Sequence, residues 1–315
     1  MKITKDFLWV SGMSVNDFLN GLGSVGFQSV ELKNASDLII KMKSSNAKTY
    51  LTFTSNMVTS GLRGFFAQLI NLEIPQVIVT TSGAIEEDIM KAFGEKFEIG
   101  SFQSDDVALH EEGENRIGNI IIRNESYMKF EDWLIPVLEE LYLKKKNWPV
   151  SELLHEIGLR LNDENSILYQ AAKNNIPIFC PGIVDGSIGF HLFMFQEKYK
   201  DFVVDVVKDL KNSVLISTYD EKKALISLGG SISKHYALLS GLLSGGFSYA
   251  LYMTTAQVTS GSMSGATTKE AKSWGKIKDD SDAVTVIGDV SINFPLAMCG
   301  ALDELKKRNI LEDGA

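Results

Sequence analysis

Apolar residues along this chain fall into two rhythms. From Ser14 to Leu22 and from Ala35 to Met42 they recur at helical intervals, which predicts short amphipathic helices. From Tyr50 to Thr54 the run is compact, aromatic and β-branched, as in a strand. The polar turn Ser55-Asn56-Met57-Val58-Thr59 follows, with a helix from near Ser60. The plan then repeats, with a strand at Gln76–Thr80, a turn at Thr81-Ser82-Gly83 and a helix from Ala84. Further helices are expected at Phe130–Leu143, Val150–Leu161, Ser166–Lys173 and Asp201–Lys211. Strands are expected at Ile176–Cys180, Val214–Thr218, Leu225–Leu228 and Ser248–Met253, and a last one ends at Asp289. Glu98 to Glu114 is polar and irregular and reads as an exposed loop. Strand–turn–helix units with small polar turns predict an α/β fold: a doubly wound, mostly parallel central sheet with helices on both faces. A single domain is expected over residues 1–315, with residues 1–45 a helical segment packed on it.

Composition narrows the partners. The net charge of −9 disfavours nucleic acid, because binding phosphates needs a basic surface, and it suits cationic ligands. Cys180 and Cys299 sit in apolar surroundings and read as reduced core thiols of a cytoplasmic protein. Met1–Phe7 is charged and precedes no long apolar run, so no secretory leader is expected. No run of about 18 apolar residues suggests a membrane span.

Candidate chemistry concentrates between Gly229 and Asp289. A glycine pair, Gly229-Gly230, opens a helix. A small-residue loop, Thr259 to Thr267, leads through a short helix into Ser273-Trp274-Gly275-Lys276-Ile277. A lysine becomes a nucleophile only when its amine is held neutral, and an apolar wall such as Trp274 or a nearby cation favours that. Thr267-x-x-Glu270 reads as a capping box. The match Gly21-x-Gly23-x-x-Gly26 to GxGxxG follows a helical pattern rather than a strand, so it reads as a helix C-cap and turn, not a dinucleotide site. The turns after the strands could cradle a pyrophosphate at helix N-termini. Asp185, just past a strand end, suits ribose hydroxyls or an N-cap equally. His110-Glu111-Glu112 lacks HExxH spacing, so no metal is expected.

The stretch Ser273–Ile277 (SWGKI) resembles the catalytic-lysine motif of deoxyhypusine synthases, in a short archaeal-type form. So do TSNMVTSGLR at 54–63, TTSGAIEED at 80–88 and IPIFCPGIVDGSIG at 176–189. The resemblance covers about residues 10–300. It implies a Rossmann-like NAD-binding enzyme that moves the aminobutyl group of spermidine, through an enzyme-lysine imine, to a lysine of the hypusine-bearing translation initiation factor. It makes Lys276 the nucleophile and His235 the residue that handles the amine proton. It assigns NAD contacts to Ser55, Asn56, Thr59, Thr81, Ser82, Gly83, Glu87, Asp185, Gly230, Thr255, Ala256, Asp289 and Val290. It assigns the amine to Glu86, Glu87, Gly261, Ser262, Ser264, Gly265, Glu270 and Trp274. A homotetramer with sites between subunits is also implied.

Two positions depart from the eukaryotic pattern. Phe190 and Met263 stand where those members carry aspartates that grip the distal ammonium of spermidine. The reaction class is therefore better specified than the donor amine, which leaves a related polyamine open. Two other readings stay open. One is the same chemistry on a small amine acceptor, giving homospermidine. The other is an NAD-binding regulatory protein with little turnover.

Overall fold

A computed structural model describes residues 3–311. Two compact units share the chain: residues 1–53, 74–77 and 213–315 form one, and 54–73 with 78–212 the other. The architecture is α/β, with mostly parallel strands flanked by helices.

The first unit carries four parallel strands in the order Ile277–Ile287, Phe247–Thr254, Lys223–Leu228, Lys48–Thr52. Lys223–Leu228 is buried at every position and Phe247–Thr254 at all but one, as near-continuous apolar runs in a parallel sheet demand. Lys223 obeys this by sending its ammonium to the carbonyls of Thr218 (2.9 Å) and Ser244 (2.6 Å). Helix Val290–Lys307 packs on helices Gln28–Ser44 and Val15–Leu22, and helix Ser231–Leu243 packs on Lys48–Thr52 and Lys223–Leu228. Gly21 lies in the last turn of helix Val15–Leu22, Gly23 is its C-cap and Gly26 precedes helix Gln28–Ser44, so no strand precedes them.

The second unit pairs Ile78–Val79 in parallel with Ile178–Phe179. Around it lie helices Arg63–Asn71, Ser82–Ala92, Asn124–Lys144, Val150–Gly158, Ile167–Lys173 and Ser187–Lys198. Buried Asp88 anchors several of these. It takes the Nε–H of Arg63 (2.5 Å), the hydroxyl of Ser166 (2.8 Å) and the N–H groups of Ile167 and Leu168 (3.1 and 2.8 Å).

Three segments differ from the sequence expectation. The helix expected at Asp201–Lys211 begins only at Val206, because Val203–Val204 pairs in parallel with Asn147–Trp148. The stretch Glu98 to Glu114 is not an irregular loop throughout: it holds Glu98–Ile99 and helix Asp106–Glu111, and Glu98–Ile99, Ile120–Arg123 and Glu114–Ile117 form a small antiparallel sheet. Val214–Thr218 is not a strand. Helix Val206–Leu215 runs into it, and irregular backbone follows, in which the Ile216 carbonyl and the Ser217 hydroxyl bond Lys48 Nζ and Tyr50 Oη (2.7 and 2.8 Å). Cys180 and Cys299 are free thiols. Among the described residues, no helix is long and apolar enough to cross a membrane, and no cluster of His, Cys, Asp and Glu could hold a metal ion.

Candidate active site

In the first unit the site grows from three strand ends. Lys223–Leu228 stops at Gly229, whose φ of +80° is open to glycine, and Gly230 caps helix Ser231–Leu243. A Cβ on Gly230 would lie 2.3 Å from Ser264 Oγ, so only glycine lets the loop come this close. The Ser231 N–H donates to that same Oγ at 3.0 Å. Gly265 is equally constrained, since its Cβ would meet the Gln257 carbonyl oxygen at 2.2 Å. Gly261 and Ser262 lie exposed at the tip of this loop. The loop ends at Thr267, whose hydroxyl accepts the Glu270 N–H and caps helix Thr268–Ser273, as the Thr-x-x-Glu pattern anticipates.

That helix delivers Lys276. Trp274 is its C-cap, Gly275 turns the chain at φ +67°, and the Lys276 backbone bonds Ala271 (3.1 Å) and Phe247 (3.0 Å) on either side. The side chain is 7% exposed, and its Nζ lies 5.2 Å from the centroid of the Trp274 ring. Among the described residues, no carboxylate or carbonyl binds that Nζ. Lys276, Trp274, Glu270, Met263, Tyr252 and Lys234 line one small, tight pocket. Met263 thus stands in the wall, and among the described residues Glu270 is the one carboxylate lining it.

His235 lies one residue beyond Lys234 on the exposed side of the helix, outside the pocket lining. Partial burial and then the charge of Lys276 hold its ring below the usual imidazole pKa. Thr255, Ala256, Asp289 and Val290 lie at the carboxyl ends of Phe247–Thr254 and Ile277–Ile287, where doubly wound sheets take their ligands. Asp289 is also an N-cap, accepting the Ser291 N–H (2.8 Å) and hydroxyl (2.5 Å).

A second group gathers in the other unit. The Ser55 N–H donates to Thr81 Oγ1 (3.2 Å), and the Thr59 hydroxyl lies 3.0 Å from the Ser55 carbonyl and 2.5 Å from Glu87 Oε2. A Cβ on Gly83 would fall 2.9 Å from that of Ser55, which again demands glycine. Ser82 Oγ donates to the Asp185 carbonyl, and Glu86 accepts the Ile188 N–H at 2.9 Å. Glu86 and Glu87 are both buried. Burial pushes the Glu87 carboxyl up to about 7 and raises Glu86 as well. Burial, and after it these two carboxylates, push the Tyr127 phenol up to about 12. Thus three consecutive acids do three jobs: Glu86 receives helix Ser187–Lys198, Glu87 receives Thr59, and Asp88 anchors the packing.

Asn56 and Asp185 are exposed. The N-cap of helix Ser187–Lys198 is Gly186, with no side-chain cap, which removes the capping explanation for the Asp185 carboxylate. Phe190 is 57% exposed and lines a groove with Phe193 and Val184.

Sequence reasoning missed Lys234 and Tyr252. Both are 1% exposed, and the Lys234 ammonium sits 4.1 Å from the Tyr252 ring centroid. The only signal was phase: Lys234 shares the helix face of the buried Leu238.

Residues 17–301 match the family model for deoxyhypusine synthase. A protein of Thermoplasma acidophilum described as a probable deoxyhypusine synthase is 37% identical over 297 residues, covering 93% of this chain and 95% of its own. The deoxyhypusine synthase of Senecio vernalis is 37% identical over 316 residues, covering 91% and 85%. A crystal structure of a candidate deoxyhypusine synthase from Entamoeba histolytica superposes with a TM-score of 0.69 at 28% identity, covering 95% of this chain and 96% of that one. With a family match over nearly its whole length and relatives this similar end to end, the chain belongs to the deoxyhypusine synthase family.

Proposed function

We propose that this protein makes deoxyhypusine: it moves the aminobutyl group of spermidine to one lysine of the hypusine-bearing translation initiation factor, in the cytoplasm, with NAD as cofactor. Family membership supports the reaction class. The observation that carries the mechanism is Lys276, buried, with no partner for its amine among the described residues, in a pocket walled by Trp274 with Glu270 as its one carboxylate.

The residues fit a dinucleotide. Gly83 and Gly230 leave no room for a Cβ beside serine-bearing turns, and helix Ser231–Leu243 starts at one of those turns, where Gly230 offers no side-chain cap and Ser264 Oγ takes the Ser231 N–H. The family resemblance implies contacts to it within each unit taken by itself: Gly230, Thr255, Ala256, Asp289 and Val290 in the first, and Ser55, Asn56, Thr59, Thr81, Ser82, Gly83, Glu87 and Asp185 in the second. Bound NAD supplies hydride acceptance from the carbon beside the secondary amine, and later hydride return.

The chain's own residues do the rest. Glu270 binds an ammonium, and the Trp274 face, itself exposed, lies along the methylene chain. Lys276 attacks the oxidised carbon with its lone pair. The carbon–nitrogen bond to 1,3-diaminopropane breaks, and the proton lost by Lys276 leaves with that amine. The aminobutyl group stays on Lys276 as a Schiff base, from which the acceptor lysine displaces it. His235, held below the usual imidazole range, is mostly neutral near pH 7 and can take the amine proton. The family resemblance also implies Glu86 and Glu87 as amine-binding carboxylates. We also propose the homotetramer, which light scattering tests.

A specific observation favours a donor related to spermidine but gripped differently. Met263 in the lysine pocket and Phe190 at its groove offer an ammonium no partner. The test of the function is incubation with NAD, a panel of polyamines and the purified factor. Gain of one aminobutyl group on a single acceptor lysine, requiring NAD, supports the proposal. No transfer with any amine rejects it.

A further inference from the structure

Lys234 carries a buried positive charge that the reaction as described does not use. It sits one turn into helix Ser231–Leu243 and is 1% exposed. Its Nζ donates to the carbonyls of Met263 (3.0 Å) and Ala266 (2.8 Å), and its third side faces the Tyr252 ring at 4.1 Å. Among the described residues no carboxylate pairs with it within ion-pair distance. Burying an unpaired ammonium is costly, and a methionine would fill the same volume without that cost. The charge therefore needs a reason.

The reason lies in what it holds. The loop 261–266 has no strand or helix of its own. Its ties to the helix are Ser264 to the Ser231 N–H and the two carbonyls taken by Lys234, while Gly265 presses on Gln257. Met263 and Ala266, whose carbonyls are clamped, are themselves walls of the Lys276 pocket.

We propose that Lys234 is a positioning residue for the transfer: its buried ammonium clamps the loop 261–266 against helix Ser231–Leu243 and so sets the wall of the pocket in which Lys276 reacts. The inference rests on Lys276 being the imine-forming lysine. Burial does drop the Lys234 ammonium to about 8, a value that suits a nucleophile. Geometry speaks against that role, because its hydrogens are engaged by two carbonyls while Lys276 opens into the pocket without an acceptor. The titratable groups lining the pocket are Lys234 from one helix, Glu270 from another, Lys276 after it and the Tyr252 phenol from the strand, with His235 next to Lys234 outside the lining.

The test uses the full chain with NAD and spermidine, comparing wild type, Lys234→Met and Lys234→Arg. The readouts are melting temperature, NAD affinity, amine KM, kcat, borohydride-trapped adduct and amide exchange over residues 257–267. In Lys234→Met, NAD affinity should hold, amine KM should rise and the adduct on Lys276 should fall by roughly ten- to a hundredfold, about the worth of one charge-assisted hydrogen bond. Exchange over the loop should quicken. Lys234→Arg, which can donate to both carbonyls but cannot form an imine, should recover much of the adduct, still on Lys276. Transfer by Lys234→Met within about twofold of wild type would overturn the clamp while leaving the role of Lys276 intact. If Lys234→Met fails to fold, Lys234→Arg decides. A folded Lys234→Arg with an adduct on Lys276 supports the clamp, and one without any adduct overturns it. A wild-type adduct on Lys234, or none at all, would reject the reading of Lys276 itself.

Discussion

Glu87→Gln should make the protein clearly more stable at pH 8 and only slightly more stable at pH 5. Glu87 is 3% exposed, and burial lifts its carboxyl from 4.5 to about 7 against the opposing pull of the Thr59 hydroxyl and Lys91. Its folded pKa lies above its unfolded one, so between these values the folded state holds more protons. Stability from this group is therefore full below about 4.5, falls as pH rises and is gone above about 7. At 1.36 kcal/mol per unit, the span amounts to about 3 kcal/mol. Glutamine stays neutral at every pH, and its carbonyl oxygen can still accept the Thr59 hydroxyl now 2.5 Å from Glu87. Urea unfolding of both proteins at pH 5, 6, 7 and 8 tests this. The midpoints should lie closest at pH 5 and separate progressively, with the variant ahead by up to about 3 kcal/mol at pH 8. Parallel curves, or a variant less stable at pH 8, would refute the argument that burial rather than pairing governs this carboxyl.

Asp185→Ala removes an exposed carboxylate that caps nothing, so the melting temperature should hold while NAD binding by calorimetry weakens roughly ten- to a hundredfold. Gly230→Ala sets a Cβ 2.3 Å from Ser264 Oγ, and the loop must yield, costing about 1–3 kcal/mol by thermal unfolding together with most of the transfer activity. Phe190→Asp combined with Met263→Asp should tighten spermidine binding in titrations, and unchanged or weaker binding would show that these two positions do not govern the donor.

Much of the framework was readable before any coordinates. The compact apolar runs at Leu225–Leu228 and Ser248–Met253 are strands because both faces are covered, and composition alone reveals that. Gly230 and Gly265 are required by close approach, which a glycine in a small-residue loop hints at but cannot prove. Thr267 capped its helix as its spacing to Glu270 implied. The misses have physical causes. Strands of two to four residues at 98–123, several of them exposed, leave no periodic trace. Val214–Thr218 has the side chains of a strand, yet helix Val206–Leu215 continues into it because tertiary contacts outweigh propensity. Lys234 escaped notice because lysine is almost never fully buried. For Asp289, a carboxylate at a strand end was legible, but its role as the N-cap of helix Val290–Lys307 depends on the backbone turn that only the fold supplies.

The account stands on Lys276 as the covalent carrier. The direct measurement is borohydride trapping of the wild-type protein incubated with NAD and its amine, followed by peptide mapping. The account predicts one aminobutyl adduct, dependent on NAD, on the peptide containing Lys276, and its disappearance in Lys276→Ala while the fold and NAD binding persist. An adduct on any other lysine, or full transfer to the protein acceptor by Lys276→Ala, would contradict it.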